Sequence, residues 1–523
     1  MRMEGAVSSG NGSERPLSGR SSPLFRRALL LAVSSLSAGV ILVAMNAYSP
    51  SDPGFLAIQL LFVVFILSSA TAAVVGVATL WRGRADLRDP ILFLFVVSLS
   101  IFLLHVYTIN LPPTTDCYDK TKQAFGCIMD EVYYVPAAQS LLAGKQCQPY
   151  ADACNLEHPY LAKALIAVGI ELFGLTDFGW RILPTVLGTL SIPLLFTITY
   201  MLSRKMRLAY FASLLLAFDT LFFVHSGAAL IDVPTTFFAM AGFLVYLYGR
   251  GFWKFDNLIL SGLILALAGL SKETAVFLFA ALLTYHTAFF RGGVKAWAYS
   301  LAKIAIPAGI VFIVGLQVYD SLYTQPSLPT FFQHMQFMLK YGASLTGPGW
   351  TDDLLKSFIT PLNWLTYYTP IAYLVTHVTV SSAQSNIVYV GVGYFGVTNM
   401  MMVWMVFFWV PLVVNRWARG GEKARSPSAE REGDLKAGVF ALVWFLWGYL
   451  PYVGLWLYGR VTYPFYILPA VPALALGTAY FTTREWFSSR LATVYLVANF
   501  AWFFWYFPDK AFLPDWVRAL IGR

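Results

Sequence analysis

The chain has 523 residues, of which 58% are hydrophobic and only 12% charged, with a mean hydropathy of +0.63. A water-soluble domain carries roughly twice that charged fraction, so a soluble globular protein is excluded and the chain reads as a polytopic helical membrane protein. The net charge of +9 needs no nucleic-acid partner, because the basic residues follow a topological pattern.

The first 27 residues are polar and rich in Ser, Gly and Arg, and read as a disordered tail. Apolar runs long enough to cross a bilayer as helices then read as about 13 spans. They lie near 28–48, 55–81, 91–109, 178–201, 208–224, 228–248, 257–271, 274–290, 297–318, 394–415, 437–457, 462–483 and 490–507. Arg15, Arg20, Arg26 and Arg27 precede the first run, which places the N-terminus inside. Alternation from there leaves most Lys and Arg on inside connections, the bias of membrane proteins. The stretch "FRRALLLAVSS" followed by "AMNA" also fits a secretory signal. It is long for one, and its removal would spoil the alternation, so an uncleaved first span is expected. The sequon at Asn11 falls on the inside. The expected division is a cytoplasmic tail (1–27), an N-terminal membrane catalytic module (28–318) with an outside loop at 110–177, a second outside loop (319–393) and C-terminal membrane helices (394–523).

All four cysteines, Cys117, Cys127, Cys147 and Cys154, fall in the first outside loop. An even number confined to one extracytoplasmic loop favours two disulfides. Of three pairings, Cys117–Cys127 and Cys147–Cys154 close the shortest loops. The spacing lacks C-x-x-C, which argues against zinc. The stretch "GVGYFG" at 391–396 matches the pattern G-x-G-x-x-G but follows no predicted strand and enters a span, so it reads as loop or helix-packing glycine.

The polar residues gather at one level. Asp130 and Glu131 open the stretch "DEVYYVPAAQSLLAG", where Val132, Val135, Ala138 and Leu142 share a face suited to the membrane surface. The bland reading of the two carboxylates is a helix start, where the dipole favours acids. Glu157, His158 and Lys163 follow in "NLEHPYLAKALIAVGIELFG", and Arg181 stands at the mouth of the next span. Asp219 and Asp232 sit at outer ends of adjacent spans, Lys272 and Glu273 at a short outer turn, and Arg460 at another. Charges this close to hydrocarbon are costly and mark a functional site by default. Clustered cations at the membrane edge can hold a lipid-borne phosphate, and a facing carboxylate can take the proton of an incoming hydroxyl. A secondary transporter would instead place charges near span centres and show repeated halves, and neither pattern is present.

The ordered set "MDEVYY", "EHPYLAKALIAVGIELFG", "WRILPTVLGTLSIPLL", "FDTLFFVHSGAALIDVP", "GLSKETAVF" and "GRVTYPFYILPAVP" resembles the dolichyl-phosphate-mannose–protein mannosyltransferases, with the lipid A aminoarabinose transferases as kin. The second loop adds "FFQHMQFMLKY", with His334, and "GWTDDLLKSFITPLNWLTYY". The resemblance covers residues 125–480. It implies an all-α GT-C membrane glycosyltransferase, active on the extracytoplasmic side of a prokaryotic plasma membrane, an archaeal one included. Such an enzyme moves a sugar, mannose as first expectation, from a polyprenyl- or dolichyl-phosphate donor to Ser/Thr of exported protein, with inversion. A lipid or surface glycan is the alternative acceptor. By motif, Asp130 is the base and Glu131 its support. Lys163, Arg181, Lys272 and Arg460 surround the donor phosphate. Glu157, His158, Asp219, Asp232 and His334 contact sugar or acceptor or support the site. No cofactor is implied with certainty; a divalent metal, if used, falls to Glu157 and His158. Two departures stand out: Tyr160 replaces the second proline of the family's "HPPLGK" segment, and Gly227 stands where the family often has arginine.

Overall fold

The computed structural model describes residues 88–111, 127–149, 153–248, 256–346, 360–366, 370–382, 385–420 and 429–509. The tail, the first two expected spans, Cys117 and the tryptophan-bearing stretch 350–359 lie outside them. The described helices are α1 (Arg88–Thr108), α2 (Glu131–Leu142), α3 (Leu161–Phe173), α4 (Asp177–Ser203), α5 (Met206–Ala217), α6 (Thr220–Ser226), α7 (Asp232–Tyr248), α8 (Asn257–Ser271), α9 (Ala275–Phe289), α10 (Val294–Tyr323), α11 (Phe331–Ser344) and α12 (Pro361–Thr366). A hairpin of β1 (Ile371–Ser382) and β2 (Ser385–Gly396) follows. After it come α13 (Met400–Trp404), α14 (Val406–Gly420), α15 (Ala429–Leu457), a 3₁₀ turn (Pro464–Ala470), α16 (Val471–Thr482) and α17 (Ser489–Tyr506).

Among the described residues, five helices are long and apolar enough to cross a membrane, or six if the bent pair α5–α6 is one span. The helical membrane fold expected from composition therefore holds, with one correction. The second outside loop is not free of sheet: β1 and β2 pair antiparallel, Ile371 opposite Gly396. The glycines of "GVGYFG" belong to β2, not to a loop or helix seam. Alternating Val, Tyr and Phe between glycines is a strand pattern, and the span expected from residue 394 begins only at Met400.

Helix boundaries follow local chemistry. Thr176 caps α4, accepting the Gly179 amide at 3.1 Å, and Arg204 ends it in the left-handed region at φ 56°. The expected span 208–224 is broken: α5 and α6 meet at 62°. Asp219 is the cause, because its carboxylate accepts the Phe222 amide at 2.8 Å and starts a new helix. The same carboxylate accepts Thr398 Oγ1 at 2.5 Å and the Asn399 amide at 2.9 Å, which ties the break to the chain leaving the hairpin.

The core is a continuous apolar cluster between α1, α4, α5, α7, α15 and α16. Helix α8 packs between α7 and α10. Gly262 permits that approach, since a Cβ there would lie 2.2 Å from the Ile304 carbonyl oxygen. A second cluster packs α2 and α3 onto the 224–231 turn. Val135 and Ala138 of α2 are buried in it, so the face expected on the membrane surface is spent on protein, and of that set Leu142 alone is exposed.

Candidate active site

Asp130 is the residue before α2, yet its side chain makes no capping hydrogen bond. The helix-start reading therefore does not account for its carboxylate. Met129 before it holds φ 54°, a left-handed conformation costly for a residue with a Cβ. The carboxylate lines a cavity of about 450 Å³. Tyr134, His158, Lys272, Glu273, Tyr373 and Arg460 share that lining, with Tyr452, Tyr463, Phe465 and Tyr466 supplying an aromatic wall. Burial pushes the Asp130 carboxyl above the ordinary carboxylate range, and the ammonium of Lys272 partly offsets this.

Glu131, adjacent in sequence, has a different fate. It is fully buried and bonded on both oxygens. Oε1 accepts Arg181 Nε and the Ala229 amide, each at 2.8 Å. Oε2 accepts Arg181 Nη2 at 2.7 Å and the Ile128 amide at 2.8 Å. Arg181 also donates to the Ile109 carbonyl at 2.7 Å, and Asp177 lies 3.6 Å away. The one-residue step around the start of a helix points neighbouring side chains about 100° apart, so one carboxylate meets the cavity and the other the core. Arg181 has no exposed surface; its expected place on a donor phosphate is corrected to that of a clamp on Glu131.

Lys163 is corrected likewise. It is buried, and its ammonium donates to the Asn155 and His158 carbonyls, bracing the loop beside the cavity. Burial lowers its pKa to about 7. Asp219 serves the helix break described above and is not in the lining. His334 is fully buried between Asp320, at 2.6 Å, and the Leu156 carbonyl, at 2.9 Å, so it holds α11 to α10 and to the loop.

The remaining expected residues do converge. Lys272 donates to Asp232 at 2.7 Å. Burial opposes the Lys272 charge, but Asp232 outweighs it and holds the pKa above its ordinary value. His158 Nδ1 lies 2.8 Å from Glu273 Oε2. Burial opposes the Glu273 charge, yet His158 draws that carboxyl down to about 2. Glu157 is half-buried at the loop, and among the described residues no group of three or more His, Cys, Asp or Glu is arranged to hold a metal ion.

Arg460 is placed by backbone pairing with the residues that follow α11, bridging Thr346 while Val461 donates to the Leu345 carbonyl at 2.9 Å. Its Nε is buried without a hydrogen-bond partner. It also lines a second space of about 800 Å³, an apolar groove between α8, α9, α10 and α11. Leu265, Phe312, Met335, Met338 and Leu339 face that groove, and Glu273, Thr274 and Arg460 lie on the boundary it shares with the polar cavity. Residues of 371–466 thus complete a cavity that the module expected at 28–318 does not build alone.

Sequence reading missed His225 and Tyr373, which meet at 2.7 Å, and the aromatic wall. The run "VTYPFY" carried a signal for the wall, since aromatics beside a charged turn at the membrane edge suit an amphipathic ligand. No sequence pattern paired His225 with a tyrosine 148 positions away. Cys147 and Cys154 are bonded as expected, with Cα atoms 5.8 Å apart.

The family model described as "Dolichyl-phosphate-mannose-protein mannosyltransferase" matches residues 166–316. A polyprenol-phosphate-mannose–protein mannosyltransferase of Mycobacterium tuberculosis is 34% identical over 116 residues, 22% of each protein. Its counterpart in Mycolicibacterium smegmatis is 34% identical over 123 residues, 24% of each. The aligned chain thus spans under a quarter of the curated relatives it matches. The Saccharomyces cerevisiae protein O-mannosyltransferase Pmt1–Pmt2 complex, solved with its sugar donor, superposes with a TM-score of 0.59 at 12% identity, over 80% of this chain and 90% of that one. Residues 166–316 are therefore similar to the dolichyl-phosphate-mannose–protein mannosyltransferase family, and the chain shares its fold with the Pmt1–Pmt2 complex.

Proposed function

We propose that the chain is a membrane mannosyltransferase that moves mannose from a polyprenyl-phosphate carrier to a Ser or Thr hydroxyl of protein. The observation that carries this reading is the adjacency of two spaces. The polar cavity that holds the Asp130 carboxylate and the apolar groove share Glu273, Thr274 and Arg460 in their linings. A lipid-linked sugar phosphate has the same three parts in the same order. The isoprenoid tail suits the groove, the phosphate the boundary at Arg460, and the sugar the aromatic-walled cavity.

The chemistry follows from the placement. Asp130 takes the proton of the acceptor hydroxyl as its oxygen bonds to the anomeric carbon. The bond from that carbon to the phosphate oxygen breaks on the opposite face, which inverts the centre. The departing phosphate carries the charge, and Arg460 and Lys272 are the cations nearest its expected position. Asp232 keeps Lys272 ordered, while Glu131 and Arg181 hold the segment that presents Asp130. The relatives' names, which specify a polyprenol-phosphate-mannose donor and a protein acceptor, agree with this reading. The Cys147–Cys154 disulfide beside the cavity supports an extracytoplasmic site, because such bonds persist on the oxidising side of a membrane.

The test is transfer by the purified protein in detergent, using labelled polyprenyl-phosphate mannose and a Ser/Thr-rich acceptor peptide. Labelled peptide with inverted anomeric configuration is the expected product. Donor that binds tightly and is never transferred to any peptide, lipid or glycan overturns the proposal.

A further inference from the structure

One residue that lines the cavity is a tyrosine whose hydroxyl is held by a buried histidine. Tyr373 enters the lining from β1, and its oxygen lies 2.7 Å from Nε2 of His225 on α6. His225 has no exposed surface. Its other nitrogen, Nδ1, has no hydrogen-bond partner, and the closest acidic oxygen is Oδ2 of Asp232 at 3.7 Å. The first oxygen of Asp232 is occupied by Lys272 at 2.7 Å. That ion pair already balances the charge of the carboxylate, so a buried imidazole beside it gains little from becoming cationic. A neutral ring keeps its single hydrogen on one nitrogen. With that hydrogen on Nδ1, the nitrogen that faces Asp232, Nε2 is an acceptor. The Tyr373 hydrogen is then committed to Nε2, and the tyrosine oxygen offers only lone pairs to the cavity.

Two further restraints fix the ring. Phe465 packs edge-on against it, with centroids 6.0 Å apart and planes at 81°. Gly396, opposite in the hairpin, leaves the space the hydroxyl occupies, since a Cβ there would lie 2.1 Å from the Tyr373 oxygen. The hairpin, the broken-span helix α6 and the 3₁₀ turn thus converge on one side chain.

We propose that Tyr373 is a specificity-determining residue that accepts a hydrogen bond from a hydroxyl of the transferred sugar, with His225 as its positioning residue. This rests on the transferase reading. In that reading the acceptor hydroxyl gives its hydrogen to Asp130, so the hydroxyl donors left to satisfy Tyr373 are those of the sugar. A site that presents an acceptor alone discriminates against a sugar lacking the matching hydroxyl, because the tyrosine oxygen is then buried without a partner.

The experiment is donor binding to the detergent-purified chain, measured for polyprenyl-phosphate mannose and its set of monodeoxy analogues. Tyr373→Phe is close to isosteric and keeps the Phe465 contact. Wild type is expected to bind one deoxy analogue about tenfold more weakly than the parent, in line with a neutral hydrogen bond. Tyr373→Phe should bind that analogue and the parent equally, and His225→Phe should reduce the same discrimination without touching the other positions. Discrimination retained in full by Tyr373→Phe overturns the inference. Wild type that binds the donor and never transfers its sugar overturns the transferase reading and leaves the binding comparison to decide the role of Tyr373.

Discussion

Arg181→Met separates two roles that arginine could play at this level of the membrane. The guanidinium makes two bonds to Glu131 and one to the Ile109 carbonyl, with no exposed surface. Methionine fills similar volume but leaves Glu131 as a buried carboxylate with two amide donors and no cation. Removing one partner of a buried ion pair costs about 3–5 kcal/mol, which corresponds to a roughly hundred- to several-thousandfold change in the folding ratio. The assay is the temperature at which half the detergent-solubilised protein stays monodisperse, read beside donor affinity. Arg181→Met and Glu131→Gln should each fall by several degrees. The double variant should lose less than the sum, because it leaves no uncompensated charge. Donor affinity measured on the folded fraction should be unchanged. An Arg181→Met protein of wild-type stability whose donor affinity drops more than tenfold would refute the reasoning, and would return Arg181 to the phosphate.

Other perturbations act on the cavity itself. Asp130→Asn should lower transfer by about 10²–10⁴ with donor binding intact, the range expected for loss of a base; single-turnover measurements decide it, and wild-type turnover would remove Asp130 from the chemistry. The base must be ionised, and burial raises its pKa, so turnover should fall with decreasing pH at a point above the ordinary aspartate value of about 3.9. A pH–rate profile with no acid limb above that point would contradict the burial. Arg460→Ala should weaken donor binding about ten- to a hundredfold, since a charge-assisted bond contributes about 1.5–3 kcal/mol; isothermal titration reads it. Gly309 lines the groove with no atom within 4 Å of a new Cβ. Gly309→Phe should therefore leave thermal stability unchanged while blocking long isoprenoid donors more than short-chain ones in the same titration.

Much of the candidate site was legible in the chain because its chemistry is local. Asp130, His158, Lys272, Glu273 and Arg460 each stand at or near the end of an apolar run, and no soluble-surface explanation absorbs a charge there. The ordered motifs then joined them. What local reading could not do was tell two neighbours apart. Asp130 and Glu131 are chemically alike and adjacent, and which one faces the cavity depends on the angle at which α2 docks on the 224–231 turn. The same limit misassigned Lys163 and Arg181, whose charges look like ligand-binding groups until the carbonyls and the carboxylate that satisfy them are brought within 3 Å.

Composition and periodicity by themselves determined that this is a helical membrane protein, since runs this apolar have no other stable solution, and loop length favoured the Cys147–Cys154 bond that the structure contains. Tertiary structure alone decided the rest. It broke a span at Asp219 because a carboxylate competes locally for helix amides. It made a hairpin from a glycine-rich stretch whose strand partner lies in the preceding segment. It also brought Tyr373 to His225 across 148 positions. Contacts of that separation are set by packing and loop closure, which act on the whole chain and leave no mark in any single window of residues.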